Sequence, residues 1–487
     1  MSDNNTKTNN TGKVIKIAIA VMAFLFFWIA PSSLYGLPDI SIVEQRVVAV
    51  FAFAFAMWVT EAIPSWTTSV LIVVVLLLTC STGAIAFLKE GDGVRDVGKL
   101  VVYQHLLEDF SDRTIMLFLG GFVIAAIASK MGVDARLAKG LLKLFGHRSE
   151  FVLLGFLLVT GLFSMFISNT ATAAMMLTFM APVLRQMPVD GKGKIGLAMA
   201  IPIGANIGGL ATPIGTPPNA IALGFLNDPN GLNMNIHFQD WFLVMLPYTI
   251  VMLLIAWGLL LLFFPFKKKI IELHIEGETK KGWQLTVTYI TIALTILLWM
   301  LDKVTGLNSY VVAMIPIAVF CVTGIFTKDD LKDINWSVLW LVAGGFALGT
   351  ALFETGLAQD LVNALPFDTM SPIVIIIGAS LICWIISNII SHTAAANLLL
   401  PVMVTMATGM GHSLDGMGGP GTLILSVTLA SSLGMSLPIS TPPNAIAFST
   451  GMIKVRDMEK VGVIIGVLGL VLAIGMLVIV GKAGYWA

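Results

Sequence analysis

Thr216-Pro217-Pro218-Asn219-Ala220-Ile221-Ala222 recurs without a single change as Thr441-Pro442-Pro443-Asn444-Ala445-Ile446-Ala447. The neighbourhood of this stretch recurs as well. Leu119-Gly120-Gly121-Phe122 is echoed by Ala343-Gly344-Gly345-Phe346, and Gly132 by Gly356, all at an offset of 224. Ser168-x-Thr170 is echoed by Ser391-x-Thr393, and the offsets drift only from 223 to 225. The chain therefore carries one unit twice, in one order and at one spacing.

Composition says what that unit is made of. Of the 487 residues, 57% are hydrophobic and 11% charged, and the mean hydropathy is +0.91. A soluble domain has about a quarter of its residues charged, because its surface must be hydrated. Less than half that share means that most of this surface faces lipid. The net charge is zero, so nucleic-acid binding has no electrostatic support. Cys80, Cys321 and Cys383 stand apart in apolar runs, without disulfide or metal spacing. The first apolar stretch, Val14–Ala30, lacks a small-residue cleavage signal after it and reads as a retained span.

A crossing helix needs about 20 apolar residues. Runs of that kind lie near 14–34, 45–61, 66–88, 113–130, 193–225, 239–264, 285–302, 309–326, 335–356, 419–452 and 461–482. Two more, about 151–184 and 372–409, hold polar interruptions at mid-depth and read as re-entrant hairpins. That leaves about 11 transmembrane helices in an all-α polytopic membrane protein. With the N-terminus cytoplasmic, 21 of the 28 basic residues fall inside, and loops 226–238, 357–371 and 410–418 carry none. The positive-inside rule is thus satisfied, and the C-terminus is expected outside.

The predicted organisation is a tail and first helix over 1–44, a first repeat over 45–264, a basic cytoplasmic linker over 265–284, and a second repeat over 285–487. Five crossings per unit turn the second copy upside down. Inverted repeats are the architecture of alternating-access carriers, which bind substrate between the repeats near the midplane.

The chemistry sits at two pairs of interruptions. Hydroxyls and an amide cluster at Ser164, Ser168-Asn169-Thr170 and Thr172 inside the first hairpin. Polar groups at that depth are costly unless they line a site. A hairpin tip offers carbonyls to a cation and N–H groups to an anion. At Thr216-Pro217-Pro218 and Thr441-Pro442-Pro443 the prolines cannot donate, and the residue before each leaves helical geometry. Both long spans must therefore break there. These motifs contain no Arg, Lys, Asp or Glu, so helix N-termini, amides and hydroxyls, with any co-bound cation, would hold an anion. Sodium suits their carbonyl and hydroxyl oxygens. A proton relay would want an embedded carboxylate, but Glu61 and Glu354 fall near span ends, where a solvated or structural role is expected. His392 breaks the symmetry by standing where the first copy has Asn169. It is either a hydrogen-bonded tip residue or an imidazole replacing a sodium-ligating amide.

At Trp58-Val59-Thr60-Glu61-Ala62-Ile63-Pro64, at the Ser168-Asn169-Thr170 tip, at both Thr-Pro-Pro-Asn stretches and over Ser431 to Ala447, the chain resembles the divalent anion/sodium symporter (DASS) family of di- and tricarboxylate transporters. The likeness runs from about residue 45 to 485. It implies a homodimer with a scaffold and a moving transport domain that works as an elevator. It also implies substrate binding by Asn169, Thr170, Thr216 and Pro217 and by His392, Thr393, Thr441 and Pro442. A first sodium site carries over to Ser164, Ser168, Asn169 and Gly215. A second carries over to Ser387, His392 and Ser440, where histidine departs from the family's asparagine. The expected function is sodium-coupled uptake of C4-dicarboxylates (succinate, malate, fumarate) across the inner membrane. Alternatives are sodium-independent di- or tricarboxylate exchange and sulfate symport. No metal pattern, activated nucleophile or phosphate loop points to an enzyme.

Overall fold

A computed structural model of the chain describes residues 3–37, 40–90, 95–188, 191–229, 231–271, 282–364 and 371–486. Residues 272–281 of the basic linker, with Lys280 and Lys281, lie outside these, as do 230 and 365–370 of the two loops expected outside. Among the described residues the fold is all helical. Helices of eight residues or more are numbered here in chain order. After α1 (Asp3–Ile29) come α2 (Ile42–Thr60), α3 (Ser65–Thr79), α4 (Arg113–Met131) and α5 (Val133–Lys143). The first unit continues with α6 (Ser149–Ser164), α7 (Asn169–Arg185), α8 (Gly193–Gly208), α9 (Pro217–Leu226) and α10 (Phe238–Phe263). The second unit opens with α11 (Trp283–Met300), α12 (Met314–Val322), α13 (Trp336–Thr355) and α14 (Leu357–Ala364). It closes with α15 (Pro372–Ile389), α16 (His392–Met410), α17 (Pro420–Ser432), α18 (Pro442–Ser449) and α19 (Val455–Lys482). Mates in the two units thus differ by nine in number.

The echoed glycines have local causes. Gly132 and Gly356 end α4 and α13 at φ of 69° and 99°, a left-handed turn that a side chain resists. Gly120 and Gly344 let their helices touch a neighbour directly. A Cβ on Gly120 would lie 2.3 Å from the Ala313 carbonyl oxygen, and one on Gly344 would lie 2.4 Å from Ser69 Cβ. The duplicated Gly-Gly is therefore a packing device that seats α4 beside α12 and α13 beside α3.

Packing repeats the symmetry of the sequence. Within each unit α6 lies on α8, and α15 on α17. Across the units α7 packs on α18 while α16 packs on α9, and α8 meets α18 while α17 meets α9. The two short helices after the prolines each reach into the opposite repeat. Both interruptions and both hairpin tips are thereby drawn to one centre.

Among the described residues ten helices are long and apolar enough to cross a membrane, against about eleven spans expected. Both expected broken spans are split: 193–225 into α8 and α9, and 419–452 into α17 and α18. Ser65–Thr79, Ser309–Val322 and Pro420–Ser432 fall among the shorter apolar helices, whereas both arms of the second hairpin pass the length test. Run length in the sequence cannot see these breaks, because the residues between the helices are themselves apolar. The first helix also starts well before residue 14. At one end of α4, Lys130 reaches the Ile325 carbonyl at 2.8 Å and Asp330 at 2.6 Å, tying the first unit to the second. Burial works to raise Asp330, but bonds from Lys130 and Thr327 outweigh it and hold the carboxylate below its ordinary range.

Candidate functional site

Each hairpin turns on a serine cap. Ser168 Oγ accepts from Ala171 N and Ser391 Oγ from Ala394 N, both at 3.3 Å, so α7 and α16 begin at Asn169 and His392. Each break turns on a threonine in extended backbone, Thr216 at φ −146°, ψ 145° and Thr441 at φ −144°, ψ 149°. The prolines that follow occupy the first helical turn, where an N–H has no helical partner anyway. Asparagine then closes the break. Asn219 Nδ2 donates to the carbonyls of Gly209 at 2.9 Å and Thr212 at 2.8 Å. Its mate Asn444 donates to Met435 at 2.8 Å and Leu437 at 2.9 Å. The carbonyls released by each break are thus partly held by the asparagine of the same motif.

Replacing Asn444 by Leu strands two buried carbonyls at about 1–3 kcal/mol each. The purified variant is expected to melt several degrees lower in detergent, and an unchanged melting curve would count against this role.

The four elements enclose one cavity of about 210 Å³. Ser168, Asn169 and Thr170 face it from one tip, and Ser391, His392 and Thr393 from the other. Gly215, Thr216 and Pro217 line it from one break, and Ser440, Thr441 and Pro442 from the other. The N-termini of α7, α9, α16 and α18 therefore converge on one small space. No Lys, Arg, Asp or Glu lines it among the described residues. Its size falls below the roughly 300–1,000 Å³ of pockets for drug-sized ligands. Phe118, Phe122, Val338 and Leu341 of α4 and α13 supply apolar wall. Asn335, which caps α13, and Asn206 of α8 add two amides absent from the expected site set.

Ser164 and Ser387 stand behind this wall, fully buried. Ser164 Oγ lies 2.6 Å from Asn169 Oδ1 and 2.8 Å from the Ala205 carbonyl. Gly209 sits between Asn169 and Gly215, since a Cβ built on it would come within 2.8 Å of Asn169 Oδ1 and 3.0 Å of the Gly215 carbonyl. Oxygens of Ser164, Asn169 and Ala205 thus meet here, while Ser168 uses its oxygen to cap α7.

The second group differs. Ser387 Oγ reaches the Trp384 carbonyl at 3.0 Å and the Ala430 carbonyl at 3.5 Å, with no bond to His392. His392 Nε2 instead lies 2.8 Å from the carbonyl of Gly434, the mate of Gly209. Ser440 Oγ donates to the Asn388 carbonyl at 2.8 Å, and Asn388 Oδ1 accepts Ser436 N at 2.8 Å. Asn388 occupies the place that Met165 holds in the first unit. An amide beside a hairpin serine was the available signal for it. Glu61 and Glu354 lie outside this cavity. Glu61 ends α2 at the surface, and Glu354 pairs with His105 and accepts Val102 N at 3.1 Å.

Neither hairpin leaves slack against its broken helix. A Cβ on Gly208 would lie 2.4 Å from Gly161 Cα, and one on Gly434 would lie 1.9 Å from Ser387 Oγ.

Residues 55–418 match the sequence pattern of the family described as citrate transporter. The chain belongs to that family. Its relatives include "Sodium-dependent high-affinity dicarboxylate transporter 3" of Caenorhabditis elegans, 30% identical, with 86% of this chain aligned to 80% of that one. They also include "Sodium-dependent dicarboxylate transporter SdcS" of Staphylococcus aureus, 28% identical over 94% of this chain and 89% of that one. Among solved structures, the Alcanivorax borkumensis YdaH transporter, whose title reports an unusual topology, superposes with a TM-score of 0.59. That likeness covers 86% of this chain and 98% of the other at 14% identity, and it speaks for the fold alone. This citrate transporter family member is a multi-pass membrane transporter and not an enzyme. The resemblance read from its motifs agrees with these relatives.

Proposed function

We propose that the chain takes up small divalent anions, C4-dicarboxylates such as succinate, malate and fumarate, together with sodium. The observation that carries this reading is the convergence of four helix N-termini and their hydroxyls on a small cavity without charged side chains. Such ends carry partial positive charge and free N–H groups, and two pairs related by the repeat match two carboxylates. Asn169 and Thr170 with Thr216 and Pro217 would hold one carboxylate, and His392 and Thr393 with Thr441 and Pro442 the other. Sodium would enter at Ser164, Ser168, Asn169 and Gly215. The names of the relatives support both partners.

On this reading the tips and broken helices move together as an elevator against α4, α13 and their neighbours, in a homodimer. The N-terminus is cytoplasmic and the C-terminus outside. A second reading, sodium-independent exchange, is favoured by one contact, the His392–Gly434 bond. There an imidazole N–H occupies a carbonyl that a cation would need. Sulfate would ask for a site with one anionic centre rather than two.

Uptake of labelled succinate into proteoliposomes, in sodium or choline, with or without internal dicarboxylate, separates these readings. Symport requires sodium and no internal anion. Thr170→Ala and Thr393→Ala are each expected to cut uptake at least about tenfold, the value of a lost charge-assisted hydrogen bond. Unaltered flux in both variants would sink the site assignment.

A further inference from the structure

Asn206 crosses from one repeat to the other at the edge of the cavity. It sits near the end of α8, 1% exposed, and lines the central space. Its Nδ2 lies 3.2 Å from Thr441 Oγ1 and 3.1 Å from Asn444 Oδ1, both in the second unit. The orientation of the amide follows from its neighbours. Asn444 must turn its nitrogen to the carbonyls of Met435 and Leu437, so its oxygen faces Asn206. Asn206 must then present nitrogen to that oxygen, and the second hydrogen of the same group falls to Thr441.

Thr441 Oγ1 thereby accepts twice, from Asn206 Nδ2 and from Asn444 N at 3.2 Å. A hydroxyl oxygen has two lone pairs and one proton. With Cβ and two incoming hydrogens in place, only the fourth tetrahedral direction is left for that proton. No protein acceptor takes it among the described residues, and Thr441 faces the cavity. The first unit lacks this arrangement. Thr216 makes no side-chain cap bond, and Ser431, the mate of Asn206, spends its hydroxyl on the Thr428 carbonyl of its own helix at 2.7 Å.

We infer that Asn206 is a positioning residue for the substrate anion: by filling the second lone pair of Thr441, it fixes that hydroxyl as a donor aimed into the site. The two halves of the site then differ in stiffness. The carboxylate at α18 meets a preset donor, and the one at α9 meets a hydroxyl free to rotate. Preset donors bind anions more tightly, because no rotor has to be ordered on binding. This inference rests on the reading of Thr441 as a substrate ligand.

The test is succinate uptake by proteoliposomes of the full chain, read as KM and maximal rate separately. Thr441→Val removes the hydroxyl and should raise KM about tenfold, and Thr441→Ser should restore it. Asn206→Ala should raise KM by a comparable factor while leaving the maximal rate within about twofold. In the Thr441→Val background, Asn206→Ala should add nothing further, because the amide acts through that hydroxyl. Ser431→Ala should leave KM unchanged. If Asn206→Ala does not purify as a monodisperse protein, Asn206→Asp keeps its shape and takes the Thr441 proton for itself, so KM should rise further. An unchanged KM in the Asn206 variant, or losses that multiply with Thr441→Val, would overturn the inference and leave the site intact. A normal KM in Thr441→Val would sink the site reading and the inference with it.

Discussion

Sodium-stimulated succinate uptake is expected to fall at least about tenfold in proteoliposomes carrying Asn169→Ala, with a matching rise in the sodium concentration for half-saturation. Ser164 Oγ, Asn169 Oδ1 and the Ala205 carbonyl lie within one hydrogen-bond length of the serine oxygen. The serine has a single proton to share between these two acceptors, and the Ala205 carbonyl also accepts from Gly209 N. Asn169 lines the cavity, so its oxygen faces the central space when the serine proton turns to Ala205. On the proposed reading, a sodium ion would bind all three oxygens at once. Removing the Asn169 oxygen removes a ligand and leaves the Ser164–Ala205 contact intact. A sodium titration of initial rates reads the effect directly. An unaltered half-saturation point would place the cation elsewhere.

His392→Asn should change the count of coupled ions rather than their affinity. In the native chain the imidazole nitrogen meets the Gly434 carbonyl at 2.8 Å, and Ser387 turns away to Trp384. Facing a carbonyl, the ring nitrogen donates there, so the second tip presents an N–H where the first presents an oxygen. Asparagine would return an acceptor to that place, with Ser387 close at hand. The Hill coefficient for sodium is expected to move from about 1 toward about 2. The charge carried per substrate, measured as current on supported membranes, should rise in step. A variant with normal uptake and an unmoved Hill coefficient would show that histidine does not govern the coupling.

The repeat, the breaks and the tips were legible because each follows from something a single residue cannot do. Proline cannot donate a backbone bond, so Thr216-Pro217 and Thr441-Pro442 had to interrupt their helices. Glycine alone tolerates the turn at 132 and 356 and the contact at 120 and 344. Serine before a run of small residues had to cap. What escaped was held in distance rather than pattern. Asn206 finds its partners more than 230 residues away, and its mate is a serine, so comparison of the two copies passes over it. The wall residues Phe118, Val338 and Leu341 look like ordinary apolar helix, because lipid and cavity both favour such side chains. Helix ends inside the long spans were hard to read for a related reason. Pro420–Ser432 and the residues after it are nearly as apolar as a full crossing, although the helix stops after thirteen residues.

The close contacts at Gly208 and Gly434 have an electrical consequence. A bilayer holds a voltage only while no file of water threads the protein, and water needs a gap lined by something it can wet. At these two places main chain rests on main chain or on the short side chain of one buried serine, with no long side chain between that could swing aside. In the proposed elevator, hairpin and broken helix would travel together without parting at their common surface. The barrier would then stay insulating through the proposed cycle, and a sodium gradient driving uptake would not be lost through the part that uses it.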